Sequence, residues 1–145
     1  LFMSRQVPLH EGLFTWPSSN PQLLGSRCSQ CAEATFPAQP DCRSCGSRDT
    51  KIVELGDHGT LWTWTIQTFM PKKPYHSDAT PETFRPYGVG YVEMPGGVRV
   101  EARLQANSPE DLQIGMRMKL DIIPFRTDEN GEQKMTFSFS AVTEA

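Results

Sequence analysis

Four cysteines stand in two pairs whose spacing is typical of metal ligands. Two residues separate Cys28 from Cys31, ten residues follow, and Cys42 and Cys45 repeat the spacing of the first pair. Two intervening residues let both thiolates of a pair point at one ion from a tight turn, and two such turns complete a tetrahedral S₄ site. Gly46 follows the second pair, where a small residue lets backbone N–H groups turn toward the sulfurs.

This pattern favours a structural zinc site formed by Cys28, Cys31, Cys42 and Cys45, with Ala32 at the position that matches Gly46. The four thiols could instead form two disulfides in one of three connectivities, carry out redox chemistry, or bind iron. Because four thiolates leave no open coordination position, a metal bound here would be structural rather than catalytic. A ribbon this small would need its metal in order to fold.

The composition indicates a strand-rich chain without a basic surplus. Its 145 residues include twelve prolines and eleven glycines, which favour short strands and turns over long helices. The net charge of −3 lacks the basic footprint with which nucleic-acid binders neutralise phosphate. No apolar run approaches the roughly 18–20 residues of a membrane span, and no signal-peptide pattern is visible. We therefore expect a cytoplasmic protein with reduced thiols and no membrane or nucleic-acid partner.

Five segments in the second part of the chain alternate apolar and polar residues with the period of a half-buried strand. They cover residues 61–66, 87–93, 98–104, 116–122 and 135–139. Residues 94–97 and Asn130-Gly131 are typical hairpin turns, and Ser108 with Pro109 predicts one capped helical turn before the fourth strand. Five strands with one short helical insertion is the plan of an OB-fold barrel.

The predicted fold is therefore all-β, with an N-terminal rubredoxin-like zinc ribbon followed by a five-stranded OB-fold barrel. We assign residues 1–22 to a helical or irregular N-terminal segment, 23–50 to the ribbon and 51–145 to the OB-fold domain. Residues 71–86 form an unusually long connection for a compact domain, and such loops are commonly functional. The bases Lys72, Lys73 and Arg85 and the aromatic residues Tyr75 and Phe84 favour a binding role for it.

Several aromatic residues raise the question of what covers them. Trp62 and Trp64 are expected on one strand face, where they fill the barrel, seat the ribbon, stack on single-stranded nucleic acid, or meet a partner. The charge balance favours a partner over nucleic acid. Phe14 and Trp16 are too apolar for a free tail, and we expect them on a short helix or turn. Part of the set Phe14, Trp16, Tyr75 and Phe84 is expected to be buried only in a complex.

No complete catalytic constellation is visible in the sequence. Catalysis needs a nucleophile or an acid–base pair, and the cysteines are assigned to metal. His10, His58 and His76 lie in no recognisable motif, and each is interpreted as a surface or turn histidine.

The order of these motifs resembles the zinc-ribbon and OB-fold family associated with acyl-CoA metabolism. The resemblance covers nearly the whole chain from about Glu11, and its most specific part is the pair of Cys-x-x-Cys turns. It also includes 24–31, 59–63 and 87–93 and the Ile114-Gly115-Met116 run.

The resemblance implies a non-catalytic small subunit of a thiolase-fold enzyme. The partner is expected to be a thiolase or a thiolase-like aldolase of the lipid-transfer-protein type, with two copies of each chain. The small subunit is implied to stabilise the partner and to share acyl-CoA with it during carbon–carbon bond cleavage. Lys72, Lys73, Phe84 and Arg85 are the candidate CoA contacts. The alternative is a single-stranded nucleic-acid-binding OB-fold protein.

Overall fold

The computed structural model describes residues 5–68, 82–106 and 108–142 and contains two sheets. The strands are β1 (Gln6–Pro8), β2 (Leu23–Cys28), β3 (Ala34–Thr35), β4 (Thr50–Gly56), β5 (His58–Gln67), β6 (Tyr87–Glu93), β7 (Arg99–Leu104), β8 (Arg117–Thr127) and β9 (Gln133–Ala141). A single 3₁₀ turn, Pro109–Asp111, precedes β8 in the described part of the chain. These ranges contain no helix with the length and apolar character of a membrane span.

Strands β5 to β9 close into a five-stranded barrel. The strands follow the order β5, β6, β7, β9, β8, and β8 pairs again with β5 to close the circle. The contact between β7 and β9 is parallel, whereas the other barrel contacts are antiparallel. The five predicted strands and the OB-fold plan are confirmed.

The predicted helical turn before the fourth barrel strand is present, but its cap differs from the expectation. The Ser108 side chain makes no capping bond to the backbone of the turn. Its hydroxyl lies 3.4 Å from a carboxylate oxygen of Asp111 instead. In so short a turn the nearby carboxylate competes for the hydroxyl proton, because it is a stronger acceptor than a neutral group.

Large apolar side chains fill the barrel interior. On one strand, the packing leaves two positions without room for a side chain larger than the hydrogen of glycine. Val92, Leu104 and Phe139 are fully buried there. On β6, a Cβ atom at Gly88 would lie 3.0 Å from Cβ of Leu104, and one at Gly90 would collide with the carbonyl oxygen of Thr63. The alternating glycines of β6 therefore let β5 and β7 pack closely on either side of it.

A β-bulge in β5 separates the two tryptophans that were predicted to share a face. The pairing with β6 shifts between Leu61 and Thr63, so the alternation of side chains changes phase there. Trp64 then packs against the core cluster, whereas Trp62 remains 46% exposed. The prediction of a shared face is wrong, because strict alternation assumes a strand without a bulge.

The ribbon forms its own three-stranded sheet in front of the barrel. β2 is the central strand and pairs antiparallel with β3 and with β4. β4 ends at Gly56 and β5 begins at His58, so a single residue separates the ribbon sheet from the barrel. Leu23 at the start of β2 is fully buried in the common core cluster. The sheet is thereby attached to the barrel by apolar packing as well as by the chain.

The N-terminal segment contributes a strand and a buried anchor, with no helix in residues 5–22. β1 pairs parallel with the first residues of β9. Phe14 is only 4% exposed and forms a bridge with Leu23. Trp16 packs edge-on against Phe14 with ring centroids 6.2 Å apart. Phe14 therefore packs against the main body of this chain, and it is not among the members of the set Phe14, Trp16, Tyr75 and Phe84 that a partner would have to cover.

The close packing at Gly90 can be tested by adding one methyl group. Gly90→Ala should lower the free energy of unfolding by roughly 1–3 kcal/mol, because the new Cβ forces β5 and β6 apart. Urea denaturation monitored by circular dichroism measures the change. Thr65→Ala, at an exposed position of the adjoining strand, is the matched control and should change stability by less than about 0.5 kcal/mol. Equal stability of the two variants would contradict this packing.

Candidate metal centre and binding cleft

The four cysteine sulfurs meet at one point of the ribbon. All four Sγ atoms lie within 4.8 Å of one another. The closest contacts cross between the two turns, at 3.6 Å from Cys28 to Cys45 and 3.5 Å from Cys31 to Cys42. A disulfide would require about 2.0 Å, whereas four sulfurs at about 2.3 Å from a tetrahedral zinc lie about 3.8 Å apart. The sulfur–sulfur distances therefore fit four ligands of one metal ion and are too long for disulfide bonds.

The two turns that carry the ligands have the same backbone construction. Ala32 and Gly46 both have positive φ, at 66° and 77°. The N–H of Ala32 donates to the Cys28 carbonyl, and the N–H of Gly46 donates to the Cys42 carbonyl. Alanine tolerates this left-handed conformation less well than glycine, so the first turn is the more strained of the two.

Two backbone N–H groups favour the thiolate form of Cys28. The N–H of Cys31 and then that of Gln30 donate to Sγ of Cys28 at 3.5 Å and 3.3 Å. These bonds, led by that of Cys31, lower the pKa of Cys28 to about 6. For Cys31 the N–H of Glu33 lowers the pKa, but hydrogen bonding with Cys42, partial desolvation, and hydrogen bonding with Cys45 and Cys28 together outweigh it and raise the pKa to about 12. Cys28 and Cys31 therefore differ in how readily they ionise when no cation lies between them.

The donor set therefore fits a divalent metal that prefers thiolates. A dication at the centre removes the mutual repulsion that keeps neighbouring thiols protonated, so that all four can ionise. Four sulfur ligands in tetrahedral proximity are the set of a structural zinc site. Cys28 and Cys42 are buried and Cys31 and Cys45 exposed, so the centre lies at the ribbon surface with one side in the protein.

The structure describes two of the four predicted CoA contacts, Phe84 and Arg85. Lys72 and Lys73, like Tyr75, lie outside the described residues. Arg85 is exposed, and its guanidinium donates to the carbonyls of Phe84 and Glu82 at 3.0 Å and 3.4 Å. Phe84 is half-buried and packs edge-on against Tyr87, with ring centroids 6.0 Å apart.

Tyr87 belongs to a cleft that sequence reasoning missed. The cleft has a volume of about 590 Å³ and lies beside the outer residues of β6 and β7. The β8–β9 hairpin and the ribbon also line it. The aromatic residues that line it are Phe36, Tyr87, Tyr91, Phe125 and Phe137. No local pattern marks this set, because three separate parts of the chain supply it.

Two arginine side chains at the cleft lie against aromatic rings, and one of them also forms an ion pair. The Arg99 guanidinium lies 3.9 Å from the centroid of Trp62 and pairs with Glu93 at 3.1 Å. The guanidinium of Arg103 lies 4.0 Å from the centroid of Tyr87. Stacking on aromatic faces favours a fixed arginine orientation.

The histidines form no catalytic constellation within the described residues. His58 Nδ1 contacts a carboxylate oxygen of Asp57 at 2.8 Å, and both side chains are substantially exposed. His10 is exposed on the N-terminal segment, and His76 lies outside the described residues. No described cysteine remains outside the sulfur cluster to act as a nucleophile.

The metal centre predicts one tightly held zinc per chain. Metal analysis of the purified protein should give about one zinc and no iron colour, with four thiols that react only after a chelator is added. Cys42→Ser should lose the metal and unfold the ribbon, because three ligands cannot close the site. Ser44→Ala, on an exposed residue of the same turn, should retain the metal. Metal-free protein with two intact disulfides would contradict the assignment.

Comparison with known proteins agrees with both parts of the fold. Residues 19–50 match the family model described as "ChsH2, rubredoxin-like zinc ribbon domain". Residues 52–122 match that described as "ChsH2, C-terminal OB-fold domain".

The similarity to relatives with named roles covers most of this chain. It is 24% identical over 135 residues to the benzoylsuccinyl-CoA thiolase subunit BbsA of Thauera aromatica, covering 92% of this chain and 87% of that one. It is 30% identical over 111 residues to a DUF35 domain-containing scaffold protein of Pyrococcus furiosus, with 76% of each chain covered.

A solved structure, the Ltp2-ChsH2(DUF35) aldolase, superposes with a TM-score of 0.61 at 26% sequence identity. The match covers 83% of this chain and 84% of that one. The resemblance noted from the motifs is thus confirmed: this chain belongs to the DUF35 family and combines a ChsH2-type zinc ribbon with a ChsH2-type OB-fold domain.

Proposed function

We propose that this chain is a zinc-binding accessory subunit that binds and stabilises a thiolase-fold partner. The partner supplies the reacting residues, and this chain helps to hold acyl-CoA while a carbon–carbon bond is cleaved by a thiolase or a retro-aldol reaction. The observation that carries the proposal is the similarity, over more than four fifths of the chain, to a protein named as a thiolase subunit and to a chain of an aldolase. The lack of a catalytic constellation in the described residues supports it.

An exposed aromatic surface supports the partner role. Trp62 is 46% exposed and Tyr91 39% exposed, and their rings meet edge-on at 6.2 Å. Arg99 stacks on Trp62, so the three side chains are held in place before any partner arrives. Tryptophan, tyrosine and arginine are the residues most enriched at energetic centres of protein interfaces. We propose that this aromatic surface contacts the thiolase-fold subunit in an assembly with two copies of each chain.

The acyl-CoA role is proposed for the connection between β5 and β6. Lys72, Lys73 and Arg85 supply cations for the phosphates of CoA, and Phe84 supplies an aromatic edge next to Tyr87. Arginine and lysine side chains bind phosphate through charge-assisted hydrogen bonds, and the backbone contacts of Arg85 leave other N–H groups of its guanidinium for this purpose. We propose that the complex works in the cytoplasm.

The charges near the cleft do not favour the alternative, single-stranded nucleic acid. Glu93, Arg99, Glu101 and Arg103 sum to zero formal charge, and Arg99 is paired with Glu93 at 3.1 Å. Sequence-independent binding of a strand needs a continuous positive groove beside the stacking residues. Within the part of the chain that the structure describes, the charges beside these aromatic residues cancel and do not supply such a groove.

The proposal is tested by reconstitution with the thiolase-fold protein encoded beside this chain. This chain alone should be inert toward acyl-CoA, the partner alone unstable or poorly active, and the mixture active in cleaving or forming a carbon–carbon bond. Size-exclusion chromatography with light scattering measures assembly, and thioester absorbance measures turnover. If this chain alone turned over acyl-CoA as fast as the mixture, the accessory role would be wrong.

The double variant Phe84→Ala/Arg85→Ala tests the contacts in the same assay. It should weaken assembly or raise the KM for acyl-CoA by about tenfold, because charge-assisted hydrogen bonds to phosphate each contribute roughly 1.5–3 kcal/mol. The bound zinc should be unchanged. Ile114→Ala is the matched control, since Ile114 is 66% exposed and lies on the turn before β8. Equal behaviour of the two variants would contradict a role for Phe84 and Arg85.

A further inference from the structure

We infer that the cleft beside β6 and β7 is a binding site for a small ligand made of a planar ring and one anionic group. This inference deepens the proposed function and rests on it for the ligand's source, because acyl-CoA has an adenine ring with a 3′-phosphate at one end and, when its acyl group is aromatic and carries a free carboxylate, a ring with one anion at the other. The site itself is defined by the side chains that line the cleft. It differs from the predicted CoA contacts on the connection between β5 and β6.

The walls of the cleft favour a planar ring. Phe36 and Phe137 meet edge-on with centroids 5.5 Å apart, and Tyr87, Tyr91 and Phe125 also line the space. Aromatic side chains bind flat rings through offset stacking and edge-to-face contacts. The volume of about 590 Å³ lies within the roughly 300–1,000 Å³ of small-molecule sites.

Arg103 favours an anionic group on that ring. It is half-buried, it lines the cleft, and its guanidinium stacks 4.0 Å from the centroid of Tyr87. Within the described residues its contact is this stacking, with no carboxylate in ion-pair distance. The contact with the ring does not consume the N–H donors of the guanidinium, through which arginine binds carboxylate or phosphate in a bidentate manner.

The other charged residues limit the anion to one. Arg99 also lines the cleft, but Glu93 pairs with it at 3.1 Å. Glu101 accepts a hydrogen bond from the hydroxyl of Tyr91 at 3.3 Å and would repel a second negative group. Its remaining oxygen can accept from an amine on the ring. A ligand that places one anionic group inside the cleft therefore matches the charges there better than a ligand that places several.

Two chemical sources share this description, namely an adenine nucleotide and an aromatic carboxylate. The ring of the nucleotide would stack between the aromatic walls with its amine toward Glu101 and its phosphate toward Arg103. An aromatic carboxylate would use the same walls and the same arginine and would leave Glu101 without a ligand contact. The two differ in the role of Glu101, which the experiment separates.

The test uses the zinc-loaded full chain without a partner and two probes, adenosine 3′-phosphate and 3-phenylpropionate. Isothermal titration calorimetry should detect saturable binding of one of them, at least tenfold tighter than its neutral analogue, adenosine or 3-phenylpropanamide. Arg103→Gln should weaken that binding at least tenfold, and Arg103→Lys should restore part of it. Arg117→Gln, on an exposed residue outside the cleft, is the matched control and should bind as the native chain does.

The outcomes separate the two sources and the two proposals. Binding of adenosine 3′-phosphate that Glu101→Gln weakens assigns the nucleotide, whereas binding of 3-phenylpropionate that Glu101→Gln leaves equal or stronger assigns an aromatic carboxylate. Binding of neither probe, or equal loss in Arg103→Gln and Arg117→Gln, overturns the inference. Because the probes are tested without a partner, that result leaves the accessory role intact. Failure of assembly with probe binding retained would instead remove the accessory role alone.

Discussion

Four sulfur atoms gathered within 4.8 Å of one another are the constraint on which the ribbon depends. Neighbouring thiolates repel each other, so the arrangement is stable with all four ionised only around a dication. That centre joins the end of β2 to the turn before β4. β2 begins at Leu23, which is fully buried in the common core, and the loop after β3 carries Phe36 to the wall of the cleft. We therefore expect loss of the metal to disorder the ribbon and, with it, the wall of the cleft to which Phe36 belongs.

The barrel positions the residues of the proposed binding surfaces on its outer face. Its interior is closed by residues such as Leu104 and Phe139, and its outer surface carries stacked pairs of arginine with aromatic rings. Stacking fixes long side chains before binding and so reduces the entropy lost on association. Such a surface suits recognition, whereas catalysis would need a nucleophile or base held against a reacting atom.

Local patterns in the sequence predicted the features that depend on local geometry. The two Cys-x-x-Cys turns identified the sulfur cluster, and alternation identified the five barrel strands. Features that depend on distant residues were missed. The parallel pairing of β1 with β9 joins the two ends of the chain, and the bulge that separates Trp62 from Trp64 is set by pairing with β6. The cleft was missed for the same reason, since Phe36, Arg103 and Phe137 meet only in the folded chain.

We propose that this chain contributes binding surfaces and that its partner supplies the reacting groups. The most direct test of this proposal is turnover by the assembled complex after the Asp57–His58 contact is removed, because this is the histidine–carboxylate pair seen in the described residues. The variant Asp57→Ala/His58→Ala should assemble normally, and its kcat should remain within about twofold of the native complex, since a general base contributes about 10²–10⁴-fold. A fall in kcat of a hundredfold or more with assembly intact would show that this chain takes part in the chemistry, and would contradict the account.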